Sequence, residues 1–426
     1  MEALYTIHEL IDSWIFQKVG TRLNTFLRTF GSFRLINNFT TDIDCILITP
    51  QTVPREMIFS DEFCAFLKSV NCTNVRMIPK AYVPLIKFHF DQYDFDLLHA
   101  PLPYEDISIF DNKNGTDILA YDNNLLRMID SKTYLSLNGL RTTEKIMHLV
   151  PNLQRYLDVL MIIKKWAKCR DIYSNIMGYW GGISWNIAAA KVCQMYDSNS
   201  ETIERLVYLF FLVMDEWDWK CPIMIAPIED YHYNPSLEPW NPNHTQNECM
   251  PVLTPAFPSK NSAYNVLRST FYRMKQEFHH ARLLCKECAE KGQNLYDVLY
   301  TPSTFLTDYP DYLQITATAN DDDMEIWKSY IESKLKILVK TLEMNHQINA
   351  TPYARSIDNM FYIGLNKKRD EAKEENKEDD NKEDNKNDEP IVMTATITGF
   401  TNFIKQNIDS PYKDGMSIEF KLIKNA

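Results

Sequence analysis

The chain has 426 residues, 45% of them apolar, and a net charge of −12, so it holds material for two or three hydrophobic cores rather than one. No apolar run is long enough to span a bilayer, and Glu2, His8 and Glu9 stand where a signal peptide needs a basic start and an apolar centre, so no membrane association or secretion is expected. The nine cysteines are scattered, which suits free thiols in a reducing compartment; the one CxxC, Cys285 and Cys288, has no second pair at zinc spacing and reads as a buried helix face.

Residues 4–27 have helical character and are expected to pack with the helical middle of the chain. Residues 45–49, 83–90 and 94–98 read as strands of an α/β unit over about residues 26–130. From residue 131 to 300 the pattern turns helical, with Leu153, Tyr156, Leu160, Ile163 and Ala167 at three- and four-residue spacing. Beyond it come an extended stretch at 312–319 and a helix with an apolar stripe of Trp327, Ile331, Leu335, Leu338 and Leu342. Strand candidates follow at 360–365, 391–398 and 417–423, with a short helix near 403–407. This alternation predicts an open sheet covered on one face by helices over 301–426, like an RNA-recognition fold, although no aromatic RNP motif is present. Residues 370–389 hold 11 acidic and 4 basic side chains, which account for 7 of the net 12 negative charges; a disordered acidic insertion at 367–389 is expected.

The sharpest local signal is Gly31-Ser32 followed by Asp42-Ile43-Asp44 and the apolar run Cys45-Ile46-Leu47-Ile48. In a strand Asp42 and Asp44 point the same way, and two carboxylates side by side repel unless a cation neutralises them. Oxygen ligands with room for water and phosphate suit Mg²⁺, and the Gly-Ser turn can bring backbone N–H groups and a hydroxyl to phosphate oxygens. A third carboxylate is expected from a neighbouring strand, where Asp94 and Asp96 have equal parity. Lys87 lies where a cation could reach phosphate or pair with one of those acids. Lys164, Lys165, Lys168 and Arg170 form a basic cluster beside Trp166 and Tyr173, suited to phosphate and base contacts or to an ordinary solvated helix end, with Trp166 itself assigned to the core. Neither a nucleophile triad nor a Walker motif stands out, so in-line displacement on a nucleoside triphosphate is the chemistry these parts permit.

GSFRL at 31–35 with the acidic pair Asp42 and Asp44 resembles the GSYRL and DID element of the eukaryotic nuclear poly(A) polymerases, members of the DNA polymerase β-like nucleotidyltransferase superfamily. Further blocks follow in the family's order: residues 88–100 around Asp96, LNG at 137–139, HLVPN at 148–152, IKKWAK at 163–168, IYSNI at 172–176, GGISW at 181–185 and PVLTPAFP at 251–258. The resemblance implies an α+β multidomain enzyme: a nucleotidyltransferase palm at 26–130, a helical middle domain from 1–25 and 131–300, and a ferredoxin-like, RRM-like RNA-binding domain at 301–426. It implies that Asp42, Asp44 and Asp96 hold two Mg²⁺ ions, with Mn²⁺ able to substitute, that Gly31 and Ser32 touch the nucleotide phosphates, and that Phe33 belongs to the nucleotide-binding set. Lys87, Lys164, Tyr173, Asn175, Gly182 and Ile183 fall where the family contacts ATP, and Asn138 where it meets the RNA 3′ end. A nuclear monomer acting with subunits of the cleavage and polyadenylation machinery is implied as well. The turn at 36–41 departs from the pattern, being one residue shorter and lacking the family's glycines. The chain also stops at Ala426 without the long tail of many animal members. A CCA-adding or uridylyl-adding transferase and a non-catalytic RNA scaffold are the competing readings.

Overall fold

The computed structural model describes residues 2–36, 42–111, 119, 122–196, 199–229, 237–245, 248–345, 348–367 and 393–425. The 36–41 turn, apart from Ile36, and the acidic insertion, apart from its first residue, Lys367, lie outside the described residues.

The first region is a five-stranded mixed sheet. Helix α1 (Glu2–Val19) leads into β1 (Phe26–Thr29), the short α2 (Gly31–Ile36) and β2 (Ile43–Pro50). Helices α3 (Arg55–Ile58) and α4 (Asp61–Ser69) precede β3 (Thr73–Ile78), β4 (Leu85–Phe90) and β5 (Tyr93–Leu102). The spatial order is β1-β2-β5-β4-β3, with β2 and β5 parallel. Strand β4 begins two residues later than expected, after Pro84, which has no N–H to give the ladder. Alternation sorts β2 onto two faces: Ile43, Cys45 and Leu47 bury against α1 and α4, while Ile46 and Ile48 bury on the opposite side. The N-terminal helix departs from expectation. Its face of Ile7, Ile11 and Trp14 packs in the palm core, with Trp14 edge-on to Phe63 at 5.0 Å, because that sheet face would otherwise stay wet.

The helical middle follows: α5 (Ser131–Leu149), α6 (Leu153–Cys169), α7 (Gly182–Met195), α8 (Ile203–Glu216), α9 (Arg268–Lys291) and α10 (Leu295–Leu299). Side chains of Asp130, Asn152 and Thr202 cap α5, α6 and α8 by accepting backbone N–H groups. Trp166 is part of the core, as expected, edge-on to Phe211 at 4.6 Å, and Trp180 meets Trp185 at 4.8 Å. Cys285 and Cys288 are buried in the same core.

The last region runs β6 (Asp311–Thr318), α11 (Asp321–Asn345), β7 (Ile348–Pro352), β8 (Met360–Lys367), α12 (Thr394–Gln406) and β9 (Ser417–Lys424), with sheet order β7-β8-β6-β9, all antiparallel. This βαββαβ order is that of the expected RNA-recognition fold. Two elements differ in detail. The expected strand at 391–398 is a helix from Thr394 onward: its β-branched run looks strand-like, yet Thr396, Phe400 and Ile404 bury at four-residue spacing and tertiary packing prevails. The short strand β7 ends at Pro352 and carries too few residues to show a period. The sheet face away from the helices is filled at one end by the chain's own aromatics. Tyr309 lies over Gly364, where a Cβ would come within 2.4 Å of the ring, and Phe305, Tyr312 and Tyr353 complete the cluster.

Candidate active site

Pairing of β2 with β5 sets Asp44 directly opposite Asp96, and pairing of β5 with β4 sets Asp96 opposite Lys87. The Lys87 ammonium spans both oxygens of Asp96 at 2.8 and 2.6 Å. Asp94, the other candidate of the same parity, is solvent-exposed and 3.0 Å from His89 Nδ1. Burial pushes the Asp44 carboxyl up to about 6, with the negative charges of Asp96 and then Asp42 adding to it. Burial raises Asp42 too, followed by Asp96, with Lys87 opposing. The three acids therefore share one electrostatic neighbourhood whose unrelieved repulsion calls for a cation.

Among the described residues no three acidic, His or Cys side chains stand close enough to hold one metal ion as they lie; the Lys87 ammonium lies across Asp96. The donor set still fits a hard divalent ion, since it is made of carboxylate oxygens that Lys87 only partly neutralises.

Gly31 explains its own presence. Its φ is +64°, and a Cβ there would lie 2.7 Å from Asp44 Oδ2, so only glycine lets the turn lie against the carboxylate. Its N–H donates to Thr143 Oγ1 of α5 at 3.0 Å and is not free to meet phosphate, which leaves that contact to Ser32. Phe33 is a correction. Its side chain is 3% exposed in the palm core and does not line the cavity that Ser32 opens into, because α2 must anchor itself to the sheet through one apolar side chain.

Ser32 opens into a cavity of about 640 Å³ that also takes Lys164, Lys168 and Tyr173 from the middle region and Arg355 from the last region. Lys164 is 9% exposed and has no anionic partner among the described residues; burial, then Lys168, pushes its ammonium down to about 8. A Cβ on Gly182 would come within 2.9 Å of the Tyr173 hydroxyl and 4.0 Å of Lys164 Nζ, and one on Gly181 within 2.9 Å of the Asn175 Cβ. Lys164, Tyr173, Asn175 and Gly182 are thus gathered at the start of α7, with Ile183 half-buried against the core. Arg170 does not belong with the other basic residues. Its guanidinium forks onto Glu277 at 2.7 and 3.1 Å in the interior, and its remaining nitrogen donates to the carbonyls of Thr301 and Pro302, so all three nitrogens are engaged away from phosphate. Asn138, on α5 one residue before the Gly139 that Phe30 packs against, has a buried Oδ1 with no hydrogen-bond partner among the described residues.

The carboxylates open on a second cavity of about 350 Å³, lined by Asp42, Lys87, Asp96 and Arg76 of the palm and by Glu325 of α11. Arg76 and Glu325 pair across it at 3.2 Å. A larger hollow of about 810 Å³, lined by Tyr208, Cys285 and Tyr296 among others, contains none of these groups; charge and not size locates the site. Arg76, Glu325, Thr143 and Arg355 escaped sequence reading because each meets the site only through contacts distant along the chain.

Three family models match consecutively: the poly(A) polymerase nucleotidyltransferase domain over residues 15–150, its central domain over 155–302 and its predicted RNA binding domain over 304–424. A poly(A) polymerase of Dictyostelium discoideum is 32% identical over 99% of this chain and 53% of its own length. Nuclear poly(A) polymerase 1 of Arabidopsis thaliana is 33% identical over 86% of this chain and 53% of its own length. Poly(A) polymerase pla1 of Schizosaccharomyces pombe is 32% identical over 81% and 60% respectively. The chain thus spans little more than half the length of these relatives. A solved cytoplasmic RNA terminal U-transferase superposes with a TM-score of 0.45 at 14% identity, covering 71% of this chain and 90% of that one, too loosely to carry an argument. With an acidic strand pair, a glycine turn against it and matches running from residue 15 to residue 424, the chain belongs to the poly(A) polymerase family.

Proposed function

We propose that the chain is a template-independent polynucleotide adenylyltransferase that transfers AMP from ATP to the 3′-hydroxyl of RNA and releases pyrophosphate. The observation that carries this reading is the Gly31-Ser32 turn, which lies against the Asp44 carboxylate on one side and lines the cavity of the unpaired Lys164 on the other. A triphosphate in that cavity would set its anionic end on Lys164 and Lys168 and its α-phosphate beside the acids. The RNA 3′-oxygen attacks the α-phosphorus, the bond to the bridging oxygen breaks in line, and the hydroxyl proton leaves toward the carboxylate cluster. A divalent pair, Mg²⁺ or Mn²⁺, held by Asp42, Asp44 and Asp96 supplies hydroxyl activation and neutralises the departing pyrophosphate when bound.

The chain's own residues do the rest. Lys87 holds Asp96 in place, Ser32 offers its hydroxyl and N–H to a phosphate oxygen, and Tyr173, its ring centroid 5.3 Å from Lys168 Nζ, offers a ring face to the base. Asn138, whose Oδ1 has no hydrogen-bond partner among the described residues, is the residue we assign to the RNA end. Action on mRNA precursors in the nucleus, as a monomer working with cleavage and polyadenylation subunits, is the physiological setting we assign. Its domains would be a palm at 26–130 with α1 packed into its core, a helical middle from 131 and an RNA-binding region from 301.

Incubating the protein with Mg²⁺, an RNA primer and each triphosphate separately tests the reading. Extension chiefly with ATP supports it, whereas equal use of UTP or CTP overturns the adenylyl assignment.

A further inference from the structure

Asn175, exposed beside Gly181 at the start of α7, belongs to a hydrogen-bond chain that leads into the third region. Its Oδ1 accepts from Asn265 Nδ2 at 3.3 Å. Asn265 is almost fully buried just before α9, and its own Oδ1 accepts from Lys336 Nζ, on α11. An amide can be turned either way, but an ammonium only donates. Lys336 therefore dictates that the oxygen of Asn265 faces it and that the Asn265 nitrogen faces Asn175. The oxygen of Asn175 is taken in turn, and its NH₂ is left with no partner among the described residues.

We infer that Lys336 is a positioning residue for base selection: acting through Asn265, it holds Asn175 as a hydrogen-bond donor toward the incoming nucleotide. This rests on the adenylyltransferase reading. A donor matches the unprotonated N1 of adenine and is mismatched to the N–H that guanine and uracil carry on their pairing edges, so the chain rejects these bases by setting two donors against each other. It also makes recognition depend on the RNA-binding region sitting correctly on the middle region. The Tyr264 ring, 5.6 Å from the Lys336 ammonium, flanks the link.

The full chain is assayed with Mg²⁺, an RNA primer and each triphosphate, with K336M, K336R and N265D beside the wild type. K336M is expected to raise KM for ATP about tenfold with kcat nearly unchanged, and to shrink the preference for ATP over GTP and UTP by a similar factor. K336R restores both. N265D offers only acceptors, so one oxygen keeps Lys336 while the other takes the Asn175 NH₂; Asn175 then turns its oxygen outward and preference moves toward GTP and UTP. Equilibrium binding of ATP without primer follows the same order. A lysine that merely staples two regions would lower kcat for every triphosphate alike. An active wild type whose K336M and N265D variants keep its KM and its ratios overturns the inference while the adenylyltransferase reading stands. A wild type that extends with no triphosphate overturns both.

Discussion

Asp44 and Asp96 are neighbours because two parallel strands pair, whereas Lys164 and Arg355 share a cavity because the middle and last regions fold against each other. Both places hold like charges at close quarters, Asp44 beside Asp96 in one and Lys164 beside Lys168 in the other, while Arg355 is paired with Asp171. The acids are brought together by backbone hydrogen bonds that form with the palm itself, and the cations by helix and loop placement across the whole chain. In both the conflict is left for the substrate complex to relieve: Asp44 is pushed up and Lys164 down, in each case by burial first and a like charge second. The molecule therefore stores an unfavourable term at each half of the site, the pattern expected where binding of a counter-charge is the task.

Replacing Asp44 with Asn should give the largest effect. Primer extension is expected to fall by about 10³-fold or more, as loss of a group acting on the reacting atoms does, while Tm of the ligand-free protein at pH 7 rises. The sign follows from linkage: a carboxyl raised to about 6 in the folded state and near 3.9 when unfolded costs stability once ionised, and that stability returns as pH falls from 6 toward 4. A Tm that drops in Asp44→Asn would break the analogy between the two halves.

Lys164→Met should come next, with kcat/KM for ATP down by some tens-fold, mainly through KM, and again with a higher Tm at pH 7. Here the folded pKa lies below the unfolded one, so the ligand-free protein gains stability as pH rises through about 8. Affinity for ATP should fall over the same range as the ammonium loses its proton. A binding profile flat from pH 7 to 9 would separate Lys164 from the phosphates.

Gly182→Ala sharpens the picture of the second cavity, since the new methyl would sit 2.9 Å from the Tyr173 hydroxyl. The ring must shift, and KM for ATP is expected to rise about fivefold with a smaller change in kcat; an unchanged KM would remove Tyr173 from nucleotide contact. Arg76→Ala tests the link between palm and α11. Its ion pair with Glu325 is half exposed on the arginine side, so stability should change by less than about 1 kcal/mol and extension by less than twofold, readable in parallel melts and rates at low and high salt.

Much of this was legible in the residues themselves. Period two placed Asp42 and Asp44 together and located β2, β5 and β9, and period three to four placed α6 and the stripe of α11, because these patterns record which side of an element is dry. The wedge of Gly31 against Asp44 was legible only as a glycine beside a serine. The helix at Thr394–Gln406 hid behind β-branched residues, and Phe33 looked available because its motif was functional while its side chain was structural.

The amino-acid sequence by itself determined most of the elements, the acidic pair and the kinship, since all three are written in spacings of a few residues. The tertiary structure alone decided that Lys87 lies across Asp96, that Arg170 is spent on Glu277, that α1 belongs to the palm core, and that Lys336 reaches Asn175 through Asn265. Those choices depend on which distant side chains compete for one polar atom or one apolar face, and chain order does not encode that competition.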